Sequence, residues 1–261
     1  MWKKYFHIRI APCFAVGMFL AIAPTTIAQT QLSQPQAPTP EKTVSVDADS
    51  YQPPTDQEPP QGTSSTTGSR GGCEGTEGSS LTVLAPEKHV GRTAAQHPTV
   101  AWFVPDSRSF PVELRLYEYG ADGQLKPKPI QTHKLQSRSG IMQFSLPEDK
   151  PGLVVGQRYL WQVALLCNPS FPSSDKVAIA QMEVVGLPPA VKTALDTKSG
   201  QTATIYAKAG LWYDALREAL KPANDGKLGK PAATLLENLA NVETQERSQN
   251  LSRIASIAAT Q

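Results

Sequence analysis

Nowhere in its 261 residues does the sequence carry the roughly 20 consecutive apolar residues that a membrane-spanning helix needs. Histidine is scarce, with 4 in the chain, and cysteine scarcer, with 3. There is no HExxH, and no second Cys cluster stands at metal-ligand spacing, so the usual zinc sites are excluded. GxSxG is absent, which removes the nucleophile elbow of the α/β hydrolases. The Gly-rich stretch SRGGCEGTEG lacks the Lys-Ser/Thr and the helix that would make it a phosphate cradle. An excess of one charge is missing too: Lys+Arg total 25 and Asp+Glu 23. Nucleic acid binding relies on a dense basic face, and isolated arginines such as those in RYLWQ and DSRSF do not supply one.

What is present at the start reads as an export signal. The chain opens MWKKYFHIR, with Lys3, Lys4 and Arg9, and continues IAPCFAVGMFLAIA. A basic stub, roughly fourteen apolar residues and a small-residue site form the layout of a secretory signal peptide. Pro12 and Pro24 bracket the apolar run, and Thr26-Ile27-Ala28 offers small residues at the positions a signal peptidase inspects. Cleavage is expected after Ala28, with an uncleaved anchor as the competing reading. A lipoprotein is disfavoured, because Pro12 stands before Cys13 where Gly or Ala is required. The expected destination is the periplasm or cell envelope, or the outside of the cell, with no transmembrane span left. Cleavage leaves 22 Lys+Arg against 23 Asp+Glu, a formal net of −1, so the apparent basicity belongs to the signal. It also leaves two cysteines, Cys73 and Cys167. An even count in an exported chain implies a bridge, two free buried thiols being the alternative.

Residues 29–72, QTQLSQPQAPTPEK through GSRGG, are rich in Pro, Gln, Ser and Thr and almost free of large apolar residues. Such a segment cannot bury enough surface to offset its ordering entropy and is expected to be a disordered tether. From Cys73 onward the pattern changes to short period-two runs: LTVLA (81–85), TVAWFV (99–104), VELRLYEY (112–119), IQTHKL (130–135), IMQFSL (141–146), RYLWQVALLC (158–167) and KVAIAQMEVV (176–185). In VELRLYEY, Val112, Leu114 and Leu116 share one face, and Glu113, Arg115 and Tyr117 the other, as in an antiparallel strand buried on one side. Seven such strands joined by Pro-Asp-Ser, Ala-Asp-Gly and Asn-Pro turns predict a β-sandwich of immunoglobulin or fibronectin type over residues 73–186. Leu153, Gly156 and Tyr159 resemble the tyrosine corner of those sandwiches, in which a Tyr bonds back across the bend before its strand. In that topology Cys73, ahead of the first strand, and Cys167, closing the sixth, reach the same end of the domain. A bridge there pins the start of the domain where the tether would fray it.

Past Gly186 the period becomes helical. AVKTALDT reads as a short helix. In QTATIYAKAGLWYDALREALKPA, Gly210 interrupts the run, and Trp212, Ala215, Leu216, Ala219 and Leu220 follow at i, i+3, i+4, i+7 and i+8. Asp214 sits near a helix start, where the dipole favours it, and KPAATLLENLANV forms the next helix. The expectation is a helical hairpin over 187–242 packed on the sandwich, then a weak terminal helix or tail over 243–261. YAKAGLWYDAL is similar to the middle of a tetratricopeptide repeat, but it occurs once, and such repeats stabilise one another in sets of about three.

Taken in order, GSRGGC, LTVLAP, PTVAWFVP, GQRYLWQVALLCNPS and AGLWYDAL resemble the domain of unknown function 928 family over about residues 66–240. The resemblance implies an exported protein of a mainly cyanobacterial family. It also implies a cysteine at positions 73 and 167 and a helix over Leu211–Leu216, and it carries over no catalytic residue.

Catalytic chemistry is not expected. His89, His97 and His133 are not spaced as ligands, Ser69 lies in the tether, the cysteines are consumed by their bridge, and no cofactor is implied. Glu148-Asp149 reads as a solvated turn. Recognition is the better class. The loops PDSRSFP (105–111) and NPSFPSSD (168–175) should lie together at the disulfide end, presenting Phe110 and Phe171. Trp212 should be buried, with Leu211 and Tyr213 pointing elsewhere. The candidate partner surface is therefore Phe110, Phe171, Leu211 and Tyr213, and the expected partner is another envelope protein. A ligand- or glycan-binding role for the loops is the first alternative, weakened because Trp102 and Trp161 alternate inward, and an uncharacterised enzyme is the second.

Overall fold

Alternation of apolar and polar side chains sets the backbone course through the first half of the folded region. The computed structural model describes residues 51–56, 60, 73, 80–198, 200–221 and 226–260. The expected signal peptide, Ser69 and most of the expected tether lie outside them. The strands are β1 (Thr82–Val83), β2 (Gly91–Thr93), β3 (Thr99–Val104), β4 (Pro111–Glu118), β5 (Gln131–Gln136), β6 (Gly140–Ser145), β7 (Arg158–Leu165) and β8 (Lys176–Val184). They form a three-stranded sheet, β1-β3-β6, and a five-stranded sheet, β2-β8-β7-β4-β5. The protein is thus mainly β with C-terminal helices. All named pairings are antiparallel except that of β2 with β8.

Each of the seven expected runs overlaps a strand, although LTVLA pairs only at Thr82 and Val83. The unforeseen strand is β2, whose three residues, GRT, carry no apolar alternation. Val112, Leu114 and Leu116 of β4 are buried with Trp161 and Val163 of β7 and Met182 of β8 in one core cluster.

The helices are α1 (Pro189–Thr197), α2 (Thr202–Lys208), α3 (Trp212–Leu220), α4 (Gly229–Ala240) and α5 (Gln245–Thr260). Gly210 separates α2 from α3 with φ +72°, a conformation that a Cβ disfavours. Seven of the nine residues of α3 are buried, including Trp212, Tyr213 and Asp214. A helix buried on all sides belongs to a core rather than a surface. Its two aromatic side chains tie it to both sheets. The Trp212 indole N–H donates to the Leu84 carbonyl just past β1 (2.9 Å), and the Tyr213 hydroxyl donates to the Gln181 carbonyl in β8 (2.9 Å). Below the Tyr213 ring lies Gly91 of β2, where a Cβ would come 2.7 Å from the ring.

The terminal segment is built more firmly than its thin apolar stripe implies. α5 has 16 residues, packs on α4, and buries Leu251, Ile254 and Ala255. Its other attachments are polar: Arg247 donates to the carbonyls of Val83 (2.5 Å) and Ala85 (3.0 Å), and Asn250 to the Thr82 hydroxyl (3.1 Å). Side chain to backbone bonds leave no mark in hydrophobic periodicity, which is why a weak helix or tail was the expectation.

The tether reading also needs correction. Tyr51–Asp56, within the segment expected to be disordered, lies on the folded unit, and Tyr51 is 3 % exposed. Tyr51 is the one aromatic residue between Gln29 and Gly72. Burying a ring of that size outweighs the ordering of a few residues, two of which are prolines already restricted in φ.

Candidate functional site

Three places gather the residues that chemistry or recognition would use. The first is the disulfide end of the sheets. Cys73 and Cys167 are bonded, with their Cα atoms 4.8 Å apart and a sequence separation of 94. Asp175 accepts the Cys167 N–H (2.9 Å), and the buried Asp106 pairs with Lys176 (3.2 Å), which joins the two loops expected to meet there. Phe171 is 64 % exposed on its loop. Phe110 is not: it is buried, its N–H donating to the Ser137 hydroxyl (2.8 Å), with the Arg108 guanidinium over its ring.

The second is the start of α3. Leu211 and Tyr213, expected to be free for a partner, are each 1 % exposed. The helix meets protein on more than one side, so an i, i+3, i+4 stripe marks only part of its buried surface. Tyr213 accepts the Trp161 indole N–H (2.9 Å) besides donating to Gln181, so its polar tip is satisfied inside the core. Asp214, in the first turn, accepts the Ala94 N–H (2.8 Å), and burial pushes its carboxyl up from the usual carboxylate range. Trp102 and Trp161 are buried, and neither presents a platform for a sugar.

The third is the segment from Ala85 to Arg92, held from three directions. Glu243 accepts the N–H groups of Glu87 (2.9 Å) and Lys88 (3.2 Å). Arg247 pairs with Glu87 (3.1 Å). Burial raises the Glu243 and Glu87 carboxyls and lowers the Arg247 guanidinium, so the stable arrangement depends on their mutual proximity. From the other side Tyr51 meets His89, hydroxyl to Nε2, at 2.7 Å. Desolvation drives the Tyr51 phenol well above its ordinary value and holds His89 at about 4, so at neutral pH the two are an uncharged pair.

The other histidines serve the fold. His97 Nε2 lies 3.1 Å from the Lys150 carbonyl. His133, expected to point outward, leans over Phe144 with ring centroids 4.6 Å apart, and burial lowers its pKa. Among the described residues, no three of His, Cys, Asp and Glu converge as metal ligands. Between the sheets, beside Leu114, His133 and Trp161, is an apolar gap of about 10 Å³, room for a single water at most. At the start of β7, the Tyr159 hydroxyl accepts the Val154 N–H across the preceding bend at 3.0 Å, and Gly156 takes φ +84°.

Tyr51 and Arg92 are the residues that sequence reasoning passed over. The available signal was local: an aromatic followed by Pro53-Pro54 and an acid, in a stretch otherwise small and polar.

These features define a two-sheet β protein whose C-terminal helices share its core and whose start is pinned by one disulfide. Residues 65–249 match the family described as Domain of Unknown Function (DUF928), and the chain belongs to that family. A search of curated proteins finds no match to it. The matched span takes in both cysteines and every strand, and it begins downstream of Tyr51.

Proposed function

We propose that this is an exported, non-catalytic envelope protein in which an immunoglobulin-like sandwich and the C-terminal helices form one structural and protein-interaction module. Export is inferred from the MWKKYFHIR…TTIA leader and from a disulfide, which persists in oxidising compartments. The Tyr159–Val154 bond, placed as in a tyrosine corner, supports the immunoglobulin-like reading. The observation that carries the module reading is α3 itself. Trp212 and Tyr213 reach one sheet each, so the Gly210 turn acts as a single repeat-like wedge inside the core and not as one unit of an array.

A non-catalytic role is supported by how the reactive groups are used. His89, His97 and His133 are each engaged in bonding within the fold, and the cysteines are joined. Of the four residues read as a partner surface, only Phe171 remains available, so a second envelope protein would meet the loop over 168–175. Truncation after Gly186 tests the module. The remaining sheets should fail to unfold cooperatively, because the donor and acceptor ties of α3 and the ring volumes of Trp212 and Tyr213 leave with it. A soluble, cooperatively unfolding fragment would overturn the reading.

A further inference from the structure

Tyr51–Asp56 lies outside the family-matched residues, and 16 residues separate Asp56 from Cys73. It meets the folded unit as a peptide meets a receptor. The Tyr51 ring enters a pocket with its edge against Trp212 (centroids 5.0 Å apart) and stacks on His89 (5.7 Å), while its hydroxyl bonds His89 Nε2. The Gln52 N–H donates to the Ala207 carbonyl at the end of α2 (3.1 Å), which also accepts the Gly210 N–H (3.1 Å). Pro54 and the Gln52 carbonyl lie over Gly210, where a Cβ would come within 3.1 Å of both. Asp56 closes the set with a two-point ion pair to Arg92 (2.9 and 3.1 Å), whose third nitrogen is held by Glu183 (2.9 Å).

An aromatic anchor, a backbone bond, a stiff proline pair and a terminal charge clamp make up a recognition element in themselves. We propose that this groove is a short-peptide site that reads an extended Tyr-Xaa-Pro-Pro-Xaa-Asp segment. The chain's own arm fills it, and the same arm of a second copy can replace it. The 16 intervening residues, extended, span up to about 55 Å, enough to reach a neighbouring copy as well as the parent. Exchange of arms would then link copies without any new contact surface. This inference deepens the module reading but stands separately from it: a failed peptide site leaves the Gly186 truncation result untouched.

The probe is a labelled synthetic peptide of residues 49–58, DSYQPPTDQE, followed by fluorescence anisotropy. The receptor is the full chain carrying Tyr51→Ala, checked for native circular dichroism and an intact disulfide. Saturable one-to-one binding is expected, at least tenfold tighter than to the wild-type chain, whose own arm competes at an effective concentration on the order of millimolar. A peptide with Ala in place of Tyr should lose binding, and adding Arg92→Ala to the receptor should weaken it about tenfold. No binding to the folded Tyr51→Ala protein, or equal binding of the two peptides, overturns the proposal. Should that variant not fold, a protease site placed between Gly62 and Thr63 of the otherwise unaltered chain gives the same decision. After cutting, the labelled peptide must exchange into the groove in place of the arm, and an arm that never exchanges sinks the idea.

Discussion

Replacing Tyr213 by Phe removes one oxygen from the centre of the molecule and leaves the ring in place. That oxygen donates to the Gln181 carbonyl and accepts the Trp161 indole N–H, both at 2.9 Å, in residues 1–4 % exposed. The indole N–H then has no acceptor at that position, and a buried donor left unpaired costs about 1–3 kcal/mol. The Gln181 carbonyl loses its hydroxyl donor as well, at a smaller cost, because a carbonyl oxygen is more readily left short of a partner than an N–H. The sum is about 2–3 kcal/mol. For a domain of 150–250 residues that lowers Tm by roughly 4–12 °C. Urea denaturation of the oxidised protein should show a lower midpoint with an unchanged m value, since the compactness of neither state alters. A Tyr213→Phe protein within about 0.5 kcal/mol of wild type would refute the claim that α3 is bonded to the five-stranded sheet through this hydroxyl.

Cys167→Ser opens a loop whose ends are 94 positions apart, and chain entropy sets the loss of stability at no more than about 4–5 kcal/mol. An unchanged denaturation midpoint, with both thiols of the wild-type protein open to alkylation, would contradict it. His89 carries the pH dependence: burial holds its imidazole at about 4 against 6.5 in the unfolded chain, so the unfolded state takes up the proton first. Stability from this group is therefore present above about 6.5 and is lost as the pH falls towards 4. The loss is about 3 kcal/mol, which a His89→Gln variant should remove from the pH profile of urea denaturation. The raised carboxyls of Asp214, Glu87 and Glu243 act in the opposite sense, so the difference between the two profiles is the quantity to read.

The sheets were legible because period two is local and strong. Val112, Leu114 and Leu116 declare a buried face without reference to any other strand, and after Thr99 the rest of β3, Val100–Val104, is apolar throughout because it is buried on both faces. The bridge between Cys73 and Cys167 was also within reach, from an even count and the run of strands between them. β2 was not, since Gly91, Arg92 and Thr93 are strand residues only because β8 offers them an edge. The outer surface failed in the same way. Phe110 stands between polar residues in a Pro-flanked loop, yet Ser137, 27 residues away, takes its N–H and helps to draw it inside.

Reading a helix by its stripe assumes a single partner, and α3 shows where that assumption breaks. Trp212 was placed inward by its spacing to Leu216 and Leu220, and by the same rule Tyr213 and Leu211 had to face out. A phenol can turn inward only if its hydroxyl finds a partner there. The partners of Tyr213 stand on two neighbouring strands, 52 and 32 residues earlier in the chain. Tyr51 obeys the same condition: its ring is buried because His89, 38 residues on, meets the hydroxyl, and because Trp212 offers the pocket wall. In both cases the deciding term is a hydrogen bond to a distant residue at the tip of an aromatic ring. Hydrophobic periodicity has no access to that term, which is why it misplaced Tyr51 and Tyr213, while Trp212, whose stripe was complete, was placed correctly.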